Sequence, residues 1–206
     1  MRQSKVLSGI KAVVFDMDGT LTESPLDFDR IRAECGLPAG QPILEFLRSA
    51  EEADRRRVQA VLDRHERRAA RECTLYDGAR EVVEELTRRG VKTALLTRNS
   101  AESVQTVLER FGLRFDVWMS REDAEPKPSP EPVLRIARRL GLAPEELIVV
   151  GDYVFDVQAG RAAGARTAFV RRRSDLPPPP EADVVIESLH QLLDVLPSHD
   201  PRRAPR

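Results

Sequence analysis

The stretch VVFDMDGTLT, residues 13–22, decides how the rest of the chain is read. Val13, Val14 and Phe15 form an apolar, β-favouring run that stops at two aspartates, Asp16 and Asp18, with Gly19 and Thr20 just behind. Apolar residues without polar alternation predict a strand covered on both faces, and such strands belong to parallel sheets. Open parallel sheets bind ligands beyond the carboxyl ends of their strands. Two carboxylates delivered to that place raise each other's proton affinity unless a cation accompanies them.

The same kind of run recurs. Ala12–Phe15, Thr93–Leu96, Leu147–Val150, Thr167–Val170 and Val184–Ile186 read as buried strands, and Phe115–Met119 is a weaker one. Amphipathic helices alternate with them. Ala79–Arg89 carries Ala79, Val82, Val83 and Leu86 at helical spacing before Gly90. Ser100–Phe111 carries Val104, Val107, Leu108 and Phe111 before Gly112, and Pro130–Leu140 carries Val133, Ile136, Ala137 and Leu140 before Gly141. Each glycine is placed to end its helix. This alternation predicts an α/β fold, a Rossmann-like three-layer core with a parallel sheet between helices.

One region breaks the alternation. From Glu23 to Leu75 no strand is expected, and Leu26–Cys35, Ile43–Ser49 and Glu51–Glu72 read as helices. The expected organisation is therefore an α/β core of residues 1–21 and 77–197, a small all-helical domain of 22–76, and a disordered tail of 198–206. The prolines of 176–180 predict a stiff connector. Leucines at 189, 192, 193 and 196 predict a docking helix over Ser188–Leu196.

Composition narrows the function. The 206 residues are 41% hydrophobic and 33% charged, with 33 Lys+Arg against 34 Asp+Glu and a net charge of −1. That balance argues against a nucleic-acid partner. The runs Arg55–Arg57 and Arg171–Arg173 read as solvated faces. Cys35 and Cys73 lack metal-ligand spacing, so inert thiols in a reducing cytoplasm are expected. No apolar segment follows Arg2 and Lys5, and the longest apolar runs have strand length, so neither a signal peptide nor a membrane span is expected. Nothing in the pattern bears on oligomeric state.

The strand ends carry the chemistry. Asp16 and Asp18 suit a hard divalent cation such as Mg2+, one carboxylate serving as nucleophile and the other as proton carrier. Solvated acids in a turn are the plain alternative. Thr97-Arg98-Asn99-Ser100 offers donors at a helix start, either a phosphate cradle or an ordinary cap. Lys127, fixed among Pro126, Pro128 and Pro130, can neutralise phosphate charge or simply be a loop lysine. Asp152 and Asp156 share a helix face and can hold a metal or complement the helix dipole. Each signal is modest alone, and their shared position at successive strand ends of one sheet gives them weight.

Together the motifs DMDGT (16–20), LLT (95–97), KPSPEP (127–132) and GDYVFD (151–156), followed by DVQAGRAAGARTAFV (156–170), resemble the haloacid dehalogenase-like hydrolases, specifically their phosphoglycolate phosphatase-like branch. The resemblance spans roughly 10–196. It implies a Mg2+-dependent phosphatase acting on a small phosphorylated metabolite. By its terms Asp16 is the nucleophile and Asp18 the general acid/base, whose backbone carbonyl also touches the metal. Thr97 binds phosphoryl oxygens, in a substrate set completed by Gly19, Thr20, Arg98, Asn99 and Lys127. Lys127 stabilises charge around Asp16, Asp152 ligates the metal directly, and Asp156 supports it. The helical insertion matches the family's cap. Tyr153 stands where many relatives have a small serine, and Arg98 where many have asparagine.

Three other functions fit parts of the pattern. A phosphomutase of the β-phosphoglucomutase type shares the core motifs. A dehalogenase has no use for Asp18. A non-catalytic phosphate-binding module predicts loss of at least one of Asp16, Asp18, Lys127 or Asp152, and all four are present. In the helical insertion, His65 lies on the apolar stripe of its helix, facing the cleft or, as the plainer reading, packed, and Arg32 and Arg48 either meet an anionic substrate or, more plainly, are surface residues.

Overall fold

β1 (Ala12–Phe15) is buried at every position. Ala12 and Val14 enter one hydrophobic core, and Val13 and Phe15 enter another on the opposite face. A strand of this kind needs helices above and below it. In the computed structural model, which describes residues 7–172 and 177–196, both faces are covered. Six parallel strands run in the order β5 (Val117–Met119), β4 (Lys92–Leu96), β1, β6 (Leu147–Gly151), β7 (Arg166–Val170) and β8 (Val184–Ile186). The expected α/β fold with a parallel sheet is the one observed.

Helices α4 (Ala79–Arg88), α5 (Ala101–Phe111) and α8 (His190–Val195) cover the face of Val13 and Phe15 with Val82, Leu86, Val104, Val107 and Leu192. Helices α6 (Glu131–Leu140) and α7 (Val154–Ala163) cover the other with Val133, Ile136, Ala137 and Ala159. Ser100 stands just outside α5 as its cap, accepting the Ser103 N–H on its hydroxyl at 3.3 Å. Phe15 pairs in register with both Leu95 and Val150. The three central strands therefore release the chain at one level, into Asp16, Thr97 and Asp152. The chain builds β4 and β5 on one side of β1 and then crosses to β6 on the other. This reversal is where ligands enter open α/β sheets.

Between β1 and α4 lie α1 (Phe28–Cys35), α2 (Ile43–Ser49) and α3 (Glu52–Glu72), around a small core of Ile31, Cys35, Ile43, Leu47, Val58 and Leu62. The expectation of an all-helical region is corrected at its ends. β2 (Thr22–Glu23) pairs antiparallel with β3 (Thr74–Leu75), two residues each, too short to show a strand period. The first arginine run is exposed, as expected, but two of its members also bind backbone carbonyls. Arg55 donates to the carbonyls of Leu47 at 3.0 Å and Ala50 at 2.9 Å, and Arg57 to that of Cys35 at 2.7 Å. These close the open carbonyl ends of α2 and α1. His65 bonds Glu34 at 2.7 Å, Arg32 pairs with Asp29, and Arg48 with Glu125.

Both cysteines are free and buried. No helix among the described residues is long and apolar enough to cross a membrane. The expected tail, Arg173 of the second arginine run and the first residue of the proline connector, Leu176, lie outside the described residues.

α3 packs along α5 and is fastened by a buried ion pair to the loop after β5. Glu66, 3% exposed, lies 2.5 Å from Arg121 Nη1 and accepts the Ser100 N–H at 3.0 Å. Asp63 meets the other arm of Arg121 at 2.7 Å. Burial pushes the Glu66 carboxyl up, and Arg121 works against that rise. Arg121→Met should cost about 3–5 kcal/mol, because it strands a buried carboxylate. Adding Glu66→Leu should restore part of the loss. Urea unfolding of the single and double variants measures both effects.

Candidate active site

The site is built outward from the end of β1. Asp16 extends the sheet by one bond, its N–H donating to the Val150 carbonyl at 2.9 Å. The chain then wraps around the Met17 carbonyl, which accepts from the N–H groups of Leu21 and Thr22, both at 2.9 Å. Gly19 makes this wrap possible at φ +82°, a left-handed conformation that side chains disfavour. It has a second reason to be glycine: a Cβ there would lie 2.2 Å from the Asp152 carboxylate.

Lys127 reaches into the centre from the loop before α6 and is 3% exposed. Its ammonium lies 2.5 Å from Asp16 Oδ1, 2.5 Å from Asp156 Oδ1 and 2.9 Å from the Leu96 carbonyl. An ammonium has three N–H donors, so all are engaged. Asp156, in the first turn of α7, also accepts the Tyr153 N–H at 3.2 Å. Gly151 leaves room for it, since a Cβ at 151 would lie 2.1 Å from the Asp156 carboxyl carbon.

Asp18, one residue from Asp16, is held by different groups. It accepts from the Thr22 hydroxyl at 2.9 Å and from the Asn99 side-chain amide. Thr97 is buried, and its hydroxyl accepts the Asn99 N–H at 3.2 Å. The Thr20 hydroxyl donates to Asp152 at 3.3 Å. The Arg98 side chain reaches the Lys127 carbonyl and Glu45 on α2. Of the four aspartates expected at a metal, Asp16, Asp152 and Asp156 bring carboxylate oxygens within 4.8 Å of one another, and Asp18 contributes none to that cluster.

Burial pushes the Asp16 carboxyl well up, Lys127 opposes the rise, and Asp156 and Asp152 add to it. Burial, then Asp156, lifts Asp152 to about 6. Burial also raises Asp18, against the hydrogen bonds of Asn99 and Thr22. Burial disfavours the charge on Lys127, yet Asp156 and Asp16 hold its pKa above the usual lysine range. Three carboxylates against one ammonium leave negative charge uncompensated. The all-oxygen donor set fits a hard divalent cation.

The haloacid dehalogenase-like hydrolase family description matches residues 22–170. The chain belongs to this family. Among similar proteins, a hydrolase of Saccharomyces cerevisiae is 33% identical over 92% of this chain and 92% of its own. The N-acetylmuramic acid 6-phosphate phosphatase of Pseudomonas aeruginosa is 31% identical over 91% of this chain and 95% of its own. A hydrolase structure from Pseudomonas syringae shares this chain's fold, with a TM-score of 0.76 at 22% identity over 89% of this chain and 96% of that one.

One contributor was not legible in the sequence. Arg172, in the second arginine run, donates to the carbonyls of Gly19 at 3.2 Å and Thr20 at 3.0 Å, and stacks 3.8 Å over the Tyr76 ring. It props the loop that carries both aspartates, and an arginine run holds no signal for such a task.

The raised Asp152 pKa has a stability consequence. Folding lifts this carboxyl above its unfolded value, so the metal-free fold binds the extra proton between pH 4 and 6 and loses that stabilisation as pH rises through about 6. Metal-free protein should therefore melt lower at pH 7 than at pH 5.5, with part of that difference traceable to this group. Asp152→Asn should narrow the gap and remove the stabilisation by Mg2+ at pH 7. Thermal melts with and without EDTA test both expectations.

Proposed function

We propose that this protein is a Mg2+-dependent phosphatase that hydrolyses a small phosphate monoester through an aspartyl-phosphate on Asp16, in the manner of the phosphoglycolate phosphatase-like enzymes. The observation that carries the reading is the division of labour at the end of β1. Asp16 is held against Lys127, and Asp18 is held separately by Thr22 and Asn99. Phosphoryl transfer by a carboxylate needs those two roles apart and adjacent.

In the first step an Asp16 oxygen attacks phosphorus and the bond to the leaving oxygen breaks. The Asp18 proton passes to that oxygen, and burial, which raises the Asp18 pKa, favours having the proton there to give. In the second step Asp18 takes a proton from water. The water oxygen attacks phosphorus, and the bond to Asp16 breaks. Inorganic phosphate leaves, and Asp18 is protonated again. Lys127 stays charged throughout and offsets the growing charge beside Asp16. Thr97 and its neighbours orient the phosphoryl oxygens. Asp16, Asp152 and Asp156, with the backbone carbonyl of Asp18 that the family resemblance adds, would hold Mg2+, which when bound supplies electrophilic neutralisation of phosphoryl charge.

The helical region 22–76 serves in this reading as a cap domain that excludes water and chooses the substrate. Support comes from its separate small core and from the absence of the four motifs within it. The activity named for the Pseudomonas aeruginosa relative supports a small phosphorylated metabolite as substrate. Two free thiols agree with a cytoplasmic setting.

Asp16→Asn should lower turnover by about 10⁴-fold or more and take up no phosphoryl group. Asp18→Asn should also stop turnover, yet gain the mass of one phosphoryl group after brief exposure to an activated aryl phosphate, and lose it to hydroxylamine. Intact mass spectrometry separates the two, and a label on Asp18→Asn that maps to another residue would reverse the assignment. Excess EDTA should abolish hydrolysis and added Mg2+ restore it. Undiminished activity in EDTA would remove the metal from the reading.

A further inference from the structure

The Arg98 guanidinium has three neighbours, and two belong to the α/β core. Nη1 donates to the Lys127 carbonyl, and the guanidinium carbon lies 4.8 Å over the Phe155 ring. These contacts hold the cation at the rim of the site, one residue from Thr97, whatever the helical region does. The third neighbour is Glu45 of α2, whose two carboxylate oxygens lie 2.9 and 3.0 Å from Nη2. This partner is the exchangeable one. The Glu45 side chain is 41% exposed and that of Arg98 is 23% exposed. The pair is partly buried but open to water on the Glu45 side, so the carboxylate can leave into solvent without stranding a buried charge. The other link from α2 to the core, Arg48 with Glu125, is exposed as well. The Glu66–Arg121 pair that fastens α3 is buried and has no such freedom.

A guanidinium fixed by its own domain and filled by a removable carboxylate has the chemistry of an anion subsite with a resident stand-in. Resting on the phosphatase reading, we propose that Arg98 binds a second anionic group of the substrate, a carboxylate or a phosphate, and that Glu45 occupies this subsite until the substrate displaces it. Glu45 then sets specificity from the helical side. An ester with a neutral tail leaves the Glu45–Arg98 pair in place, whereas one with an anionic tail exchanges with it.

The test compares kcat and KM of the full chain on two matched pairs, with p-nitrophenyl phosphate as reference. 3-Phosphoglycerate against glycerol 3-phosphate supplies a carboxylate, and fructose 1,6-bisphosphate against fructose 6-phosphate supplies a second phosphate. The charged member of at least one pair should be preferred, and which pair shows it identifies the group. Glu45→Gln removes the competing charge and should lower KM for that charged member by about fivefold, the size of a screened ion pair. Its neutral partner and the reference should not change. Arg98→Met should erase the preference, and Arg98→Lys should fall between. A Glu45→Gln effect that is equal on charged and neutral members overturns the proposal, as does a charge preference that survives in Arg98→Met. If p-nitrophenyl phosphate is hydrolysed but neither pair is discriminated, this proposal alone falls. If no phosphate ester is hydrolysed, the phosphatase reading falls with it.

Discussion

The ammonium of Lys127 is the point on which the molecule turns. Its three donors are taken by Asp16 from the end of β1, by Asp156 from α7 behind β6, and by the last carbonyl of β4. A buried charge without partners is costly, so the lysine and the two carboxylates require each other. That requirement fixes geometry well beyond the site. β4, β1 and β6 must be neighbours and must end level, as the pairing of Phe15 with Leu95 and Val150 provides. The lysine must come from outside the sheet, on a loop stiffened by Pro126, Pro128 and Pro130.

The same crowding explains two glycines. Gly19 and Gly151 lie where an added Cβ would run into the carboxylates of Asp152 and Asp156 respectively. Gly19 also carries a positive φ, so conformation and space agree there, while at Gly151 space alone decides. The acidic groups are thus packed against backbone rather than displayed to solvent. Burial raises the proton affinity of Asp16, Asp18 and Asp152 for that reason. A site of this kind is poised for a cation in the metal-free state, because it holds more negative charge than one ammonium offsets.

What was legible in the sequence follows from burial. Ala12–Phe15 and Val184–Ile186 read correctly from end to end, since a strand covered on both faces writes an unbroken apolar run. Helix ends read well wherever Ser100, Gly112 or Gly141 supplied a cap. β2 and β3 did not read, because two-residue strands have no period. The motif residues announced the chemistry they can perform but not their partners. That Asn99 holds Asp18, that Glu66 holds Ser100 and that Arg172 props Gly19 depend on contacts between distant parts of the chain. An arginine in a run looks the same whether it is solvated, like Arg56 beside Glu52, or caps a helix, like Arg57.

These distant contacts divide the helical region into parts with different freedom. Its two connections to the core lie side by side as β2 and β3, and Arg172 grips one of them while stacking on Tyr76 beside the other. Rotation of the whole region about that point would pull Glu66 away from Arg121 and the Ser100 N–H, exposing one charge and stranding another. The ion pairs that join α2 to the α/β core are open to water, Glu45 with Arg98 partly and Arg48 with Glu125 on both sides, while α2 itself stays packed on α3 through Ile43, Leu47 and the Arg55 guanidinium. The energetic ranking of these links therefore makes α3 an extension of the α/β core. α2, which meets the core through Arg98 and Glu125 rather than through a buried pair, is the helix the core grips least, next to the loops that carry Thr97 and Lys127.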